Sequence, residues 1–307
     1  MSRRAACRSA SLILLACLAT TAGHAATYVR SYLIDNVLLP TSSSQAASYA
    51  IDLDGDTHAE NDFGQVLAAF AAQGFDFNGQ MNAAVASGSI VHLVHLQTTD
   101  KALANDSAAQ ASWCVGTPIA TPPLFDGTDA ASCFTVPATY VAPLAGGSFT
   151  SANPATTANP VSLAFAFPSG TGAVNIPVLN ARLSFATDAG GNITFGQING
   201  SIPHSEIVNT FEPALDATCN ASIQNDPSSS TAMGCKSVFD TGCAGHPELA
   251  NDGQIELCEI SENAIIAALL APDVQVDDGG TMVPANSMGI RFTAIVYDRL
   301  FGNGFDH

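Results

Sequence analysis

Three β-type patterns in succession constrain the fold more than anything else in the chain. Val161 to Phe167, Ile176 to Thr187 and Ile193 to Ile202 are apolar and β-branched, and Gly-rich turns at Ser169 to Gly172 and Ala189 to Asn192 part them. Turns this short join only antiparallel neighbours, so the segment reads as a meander. Within it Leu179, Ala181, Leu183 and Phe185 face one way and Asn180, Arg182 and Ser184 the other. One side of the sheet therefore meets a core, and the other meets water or a cover.

The flanking segments supply further elements. Tyr28 to Pro40 reads as an opening strand or extended arm, and Ser287 to Tyr297 as a closing strand. Ser89 to Thr98 is apolar on both faces, as a central strand is; its His92 and His95, three apart, point to opposite faces and cannot grip one ion. Residues 114 to 160, rich in Pro, Gly, Thr and Ser, predict short edge strands and long loops, with Trp113 packed on a bridge at Cys114. Phe63, Val66, Leu67 and Phe70 form a helical face that Gly74 ends. From Ser205 a second helical stripe runs through Ile207, Phe211 and Leu215 to Ile223, with Pro213 kinking it or opening its second half. Asp226-Pro227-Ser228 breaks it before a helix from about Ser229 to Phe239, and Ile260 to Ala271 predicts one more, buried helix.

The expected class is α+β: an antiparallel meander or sandwich-like layer packed against helices, one domain spanning 26–307. Arg3, Arg4 and Arg8, the apolar run from Leu12 to Leu18 and the small residues ending at Ala25 read as a signal peptide over 1–25, with lipoprotein processing at Cys17 as the competing reading. No later stretch approaches the roughly 18 to 20 apolar residues of a membrane span. Nine Lys and Arg against 27 Asp and Glu give a formal charge of −18, which argues against nucleic acid or an anionic membrane as partner. Cys114, Cys133, Cys219, Cys235, Cys243 and Cys258 make an even set in an exported chain. Sequence leaves their connectivity open, with sequential pairing the simplest choice; zinc is the weaker explanation, because no Cys-x-x-Cys occurs.

The main chemical signal is Asp52-Leu53-Asp54-Gly55-Asp56-Thr57-His58-Ala59-Glu60-Asn61-Asp62, with no Lys or Arg between Arg30 and Lys101. Two carboxylates about 7 Å apart in water repel by about 0.6 kcal/mol, so this set costs a few kcal/mol unless a cation or solvent offsets it. Oxygens at positions 1, 3, 5, 7 and 9 are the order in which an EF-hand-type loop wraps Ca²⁺. Here these are Asp52, Asp54, Asp56, the His58 carbonyl and Glu60. Position 6 is Thr57 instead of Gly and position 12 is Phe63 instead of Glu, so Asp62 or a residue from elsewhere must close the site. In these departures the loop resembles the calcium loops of thrombospondin type 3 repeats and dockerins.

A second stretch, Glu248 to Glu259, matches the back half of such a loop, with Asp252 at 5, Gly253 at 6, Ile255 at 8, Glu256 at 9 and Glu259 at 12; Glu248 and Gln254 complete its candidate ligands. Calcium loops of this kind pair through their position-8 residues, so Ala59 is expected beside Ile255. No nucleophile elbow, zincin motif, P-loop or dinucleotide fingerprint occurs, and no catalytic residue is assigned. With its Asp-rich loop followed by Gly-Gln and an apolar helix, its Thr-Ala-Asn-Pro segment, Asp-Pro-Ser-Ser-Ser turn and Asp-Gly-x-Ile-x-x-Cys-Glu run, the chain resembles an uncharacterised family of exported bacterial proteins with EF-hand-like loops, while its aromatic-Gly-Phe-acid tail resembles the endings of many unrelated secreted bacterial proteins. The resemblance covers most of the mature chain and implies no activity. The expected function is a calcium-binding, disulfide-stabilised exported module that is monomeric and acts on a protein or glycan ligand or at the cell surface. The alternative is a calcium-dependent secreted hydrolase with catalytic residues on the β-layer loops, His204 or His95 among them.

Overall fold

The computed structural model describes residues 27–151, 160–168 and 172–297. The expected signal segment, the tip of the Thr-Ala-Asn-Pro loop and the tail after residue 297 lie outside the described residues. In chain order the strands are β1 (Tyr28–Leu38), β2 (His92–Thr98), β3 (Asp106–Val115), β4 (Ala138–Ala145), β5 (Ser148–Thr150), β6 (Val161–Ala166), β7 (Ala173–Thr187), β8 (Ile193–Pro203), β9 (Val274–Asp278) and β10 (Thr281–Val296). The helices are α1 (Ser43–Ser48), α2 (Asp62–Ala72), α3 (Phe77–Ser87), α4 (His204–Glu206), α5 (Glu212–Asn225), α6 (Ser230–Phe239), α7 (Leu257–Ser261) and α8 (Ala264–Leu269). The protein is thus α+β, with a large antiparallel sheet and several helices.

The sheet is not an open layer. Strands pair in the order β1-β2-β3-β4-β5-β7-β8-β10, and β10 pairs back onto β1, so the path closes into a ring. Closure removes the exposed edges that an open antiparallel sheet must otherwise protect. β6 extends from the first half of β7, and β9 from the first residues of β10. In β4 the alternation is complete: Ala138, Tyr140, Ala142 and Leu144 are buried and the residues between them exposed. Strands that do not pair meet through their inward side chains, Tyr32 of β1 on Phe185 of β7 at 6.2 Å and Trp113 of β3 on Phe292 of β10 at 5.4 Å between ring centroids. The ring therefore encloses a packed core.

The helices extend that core. Asn61 caps α2 by accepting from the Gly64 amide, and Phe63, Val66, Leu67 and Phe70 are buried as the 3.6-residue period requires. Phe63 and Phe70 join Phe75, Phe77, Phe165, Phe167, Phe211 and Phe239 in one aromatic cluster, with Phe63 and Phe211 5.2 Å apart. Pro213 has no N–H for the carbonyl four residues back. The widened π-helical turn Ile207–Phe211 falls at that point, and α5 starts beyond it.

The three disulfides join Cys114 to Cys133, Cys219 to Cys235 and Cys243 to Cys258, the sequential pairing. The second of these ties α5 to α6.

Four sequence expectations need correction. Leu179 does not share a face with Ala181: the register of β7 against β8 shifts between Leu179 and Arg182, Asn180 sits at φ 51°, and this bulge turns Leu179 onto Val274 and Val276 of β9. β4 and β5 are ring strands, not edges, since each has a partner on both sides. Trp113 packs inward on Phe292 and His92, on the face opposite Cys114. The helix expected over 260–271 is broken between α7 and α8, where Asn263 donates to the Val238 carbonyl of α6 (2.7 Å) and caps α8 at the Ile266 amide (3.2 Å).

Candidate metal centre

The loop after α1 is closed at its neck by an antiparallel bridge between Ile51 and Glu60, with the Glu60 amide donating to the Ile51 carbonyl at 3.0 Å. Inside the neck, acidic side chains hold the backbone. Asp52 accepts from the amides of Gly55 (2.6 Å) and Thr57 (3.0 Å), Asp54 from Asp56 (3.1 Å), and Asp56 from His58 (2.7 Å). Glu60 reaches back to accept from the Leu53 amide at 2.9 Å. The chain turns through left-handed backbone at Gly55 (φ 88°) and at Thr57 (φ 77°), the position where an EF-hand loop has Gly. One oxygen from each of Asp52, Asp54, Asp56 and Glu60 lies within 4.8 Å of the others. Oxygens bound to one Ca²⁺ at 2.3–2.6 Å are separated by at most about twice that distance, so the spacing fits a shared ion.

The ring holds this loop from behind. Arg182 of β7 donates to the carbonyls of Asp52 (2.9 Å) and Leu53 (3.1 Å), and Gln197 and Asn199 of β8 both donate to the Tyr49 carbonyl, at 2.9 and 2.7 Å. At the exit, buried Asn61 accepts from the amides of Gly64 (3.1 Å) and Gly289 (2.7 Å) and donates to the carbonyls of Ala46 (3.0 Å) and Gly289 (3.1 Å). Its amide thus fills four hydrogen-bonding positions and locks α1, the loop exit and α2 onto β10. The sequence reading assigned no role to Asn61 and gave Arg182 only a face of its strand; the one available signal for Asn61 was a capping residue just before an apolar-periodic run.

Burial raises the Glu60 carboxyl above its ordinary range, and the charges of Asp54, Asp56 and Asp52 push it the same way, while the hydrogen bond from Leu53 opposes them. Asp56 is held low, first by the His58 amide. The His58 ring stands 3.2 Å from the same Asp56 oxygen, and both side chains are exposed. Asp62 lies elsewhere. As the first residue of α2 it donates its amide to Ser287 Oγ (2.8 Å), and its carboxyl is raised by burial and then by the charge of Asp273. The structure therefore brings together Asp52, Asp54, Asp56 and Glu60, and sets Asp62 against Asp273 instead.

The second stretch uses its acids differently. Glu259 is fully buried and accepts from the Gly242 (2.6 Å) and Glu256 (2.9 Å) amides, completing a capping box with Glu256 at the start of α7. Glu248 pairs with the His246 ring at 3.0 Å, and Asp252 accepts from the Gln254 amide at 2.8 Å. Ile255 does not meet Ala59. Its amide donates to Asn220 Oδ1 (3.0 Å) and its carbonyl accepts from Asn220 Nδ2 (2.7 Å), so α5 occupies both groups that a loop-to-loop contact would use. Among the described residues, the side-chain groups close enough to share an ion include Asp52, Asp54, Asp56 and Glu60, and none of Glu248, Asp252, Glu256 or Glu259.

The histidines separate as their spacing requires. His92 is buried within the core, its Nε2 accepting from the Ala164 amide at 3.1 Å, and burial drives its pKa down to about 3, so the ring is neutral. His95 faces outward, with Nδ1 2.8 Å from Ser31 Oγ and Nε2 3.4 Å from Cys133 Sγ. His204 Nδ1 lies 3.4 Å from Asn286 Oδ1. A cavity of about 560 Å³ adjoins the acidic loop, lined by Leu53, Asp54, Asn180 and the strand from Val274 to Asp277. Neither His95 nor His204 lines it. Compared with protein families, with characterised proteins and with solved structures, the chain matches none.

Proposed function

We propose that the loop from Asp52 to Glu60 binds Ca²⁺, and that the protein is an exported, calcium-stabilised module acting by binding or at the cell surface. The observation that carries this reading is the convergence of four carboxylate oxygens within 4.8 Å on a loop whose backbone is fixed by Arg182 and Asn61. Thr57 supports it, because a β-branched residue held at φ 77° keeps the sharp central turn that such loops need. Three disulfides support a non-cytoplasmic setting, and among the described residues no helix is long and apolar enough to cross a membrane. The cavity beside Asp54 is where a protein or glycan ligand would reach both the ion and the apolar wall formed by Leu53, Val274 and Val276.

Thermal unfolding with calcium and with chelator tests the proposal. Calcium at ten times its dissociation constant adds about 1.4 kcal/mol, and the Asp52→Asn/Asp56→Asn variant loses that gain. A wild-type melting temperature that calcium leaves unmoved would overturn it.

A further inference from the structure

Outward on β2, His95 stands between Ser31 of β1 and the Cys114–Cys133 bridge. Its Nδ1 lies 2.8 Å from Ser31 Oγ and its Nε2 3.4 Å from Cys133 Sγ, and a ring nitrogen and both sulfurs lie within 4.8 Å of one another. The two ends of the bridge differ in access: Cys114 is buried and Cys133 half-exposed. Cys219 and Cys235 are both fully buried, while Cys243–Cys258 also has one buried and one half-buried end, so the neighbouring His95 rather than access sets Cys114–Cys133 apart. The chain around Cys133 also shows apolar side chains to solvent, Leu124 at 72%, Phe134 at 74% and Val136 at 68% exposure.

We propose that Cys114–Cys133 is an exchange-active disulfide whose substrate is a thiol, with His95 as the general base that serves it. The accessible sulfur is Cys133, so the incoming thiol attacks there. As it does, its proton passes to His95 Nε2; the sulfur–sulfur bond breaks, and Cys114 leaves with the electron pair. The imidazolium then returns the proton to the Cys114 sulfur. One thiol and one disulfide become one mixed disulfide on Cys133 and one thiol on Cys114, with no other oxidant or reductant needed. Ser31 suits both stages, since its hydroxyl accepts from Nδ1–H in the neutral tautomer that leaves Nε2 a free base and again in the imidazolium. Burial is the only influence that lowers the His95 pKa, which keeps the ring available as a base. Among the described residues, Tyr297 is a titratable group packed on the same patch, and its hydroxyl donates to the Ala131 carbonyl at 2.6 Å.

The test is timed alkylation with mass mapping after the folded protein meets glutathione or a synthetic peptide carrying one cysteine among leucine and phenylalanine. Cys114 should become alkylatable, and Cys133 acquire the thiol, about tenfold or more faster than either other bridge opens. His95→Gln should slow this about tenfold or more at pH 7, and the deficit should vanish above the thiol's own pKa, where thiolate is already formed. A faster reaction with the apolar peptide assigns a protein thiol as substrate, and equal rates assign a small one. Three bridges opening at like rates in the unaltered protein would overturn the proposal without recourse to any variant. So would a His95→Gln protein that reacts as fast as wild type at pH 7, or one whose deficit persists at high pH.

Discussion

Removing the Asn61 side chain should destabilise the protein more than any single carboxylate of the loop. The residue is buried, and its amide makes four hydrogen bonds at 2.7 to 3.1 Å, two as acceptor and two as donor. Each such bond contributes about 1 kcal/mol net, and a buried group left without a partner costs about 1–3 kcal/mol, so Asn61→Ala is expected to cost about 3–5 kcal/mol. Asn61→Ser keeps one acceptor for the Gly64 amide and abandons the rest, and should lose about half to three-quarters of that. Urea unfolding in chelator, followed by circular dichroism, gives both values free of any contribution from metal. A loss below about 1 kcal/mol for Asn61→Ala, or Asn61→Ser as stable as wild type, would refute the assignment of Asn61 as the pin between loop and ring.

Thr57→Gly should raise stability by about 0.5–1 kcal/mol, because releasing a β-branched residue from φ 77° returns about 1–2 kcal/mol, partly offset by the chain entropy of glycine; a loss in urea unfolding would count against the strain. The Asp62 carboxyl is raised by burial and by Asp273, so the folded state retains a proton that the unfolded state releases, and its contribution to stability falls as pH rises above the ordinary carboxyl range. In chelator, Asp62→Asn should therefore be more stable than wild type at pH 7 and equal to it below about pH 4, where both side chains are neutral. Replacing Cys219 and Cys235 by alanine opens a bridge with a sequence separation of 16 and should cost about 3 kcal/mol, seen as a lower urea midpoint.

What was legible in the sequence is what neighbours along the chain decide. The meander of β6, β7 and β8, the buried face of α2 and the opposed histidines of β2 all follow from periodicity, turn residues and local spacing. Ring closure was not legible: β1 pairs with β10 from the other end of the chain, and neither strand carries a mark of its partner. The bulge at Asn180 escaped for a related reason, since an alternating pattern looks the same until one residue is left unpaired. Of the two acidic stretches, only the first gathers its carboxylates, with oxygens of Asp52, Asp54, Asp56 and Glu60 within 4.8 Å of one another among the described residues. The second shows why spacing alone falls short: Glu259 has the position of a metal ligand, yet a buried carboxylate with two amides in reach is already satisfied. Asp62 likewise continues the acidic run in sequence, while the start of α2 turns it toward Asp273.

The central claim is that the loop from Asp52 to Glu60 takes a divalent cation through its side chains. Calorimetric titration of the folded, metal-free protein with Ca²⁺ tests it most directly, run beside the Asp52→Asn/Asp56→Asn variant. One site with a dissociation constant of about 10⁻⁴ to 10⁻³ M, the range of extracellular calcium modules, is predicted for the wild type, with none in the variant. No binding at millimolar calcium, or the same isotherm from both proteins, would contradict it.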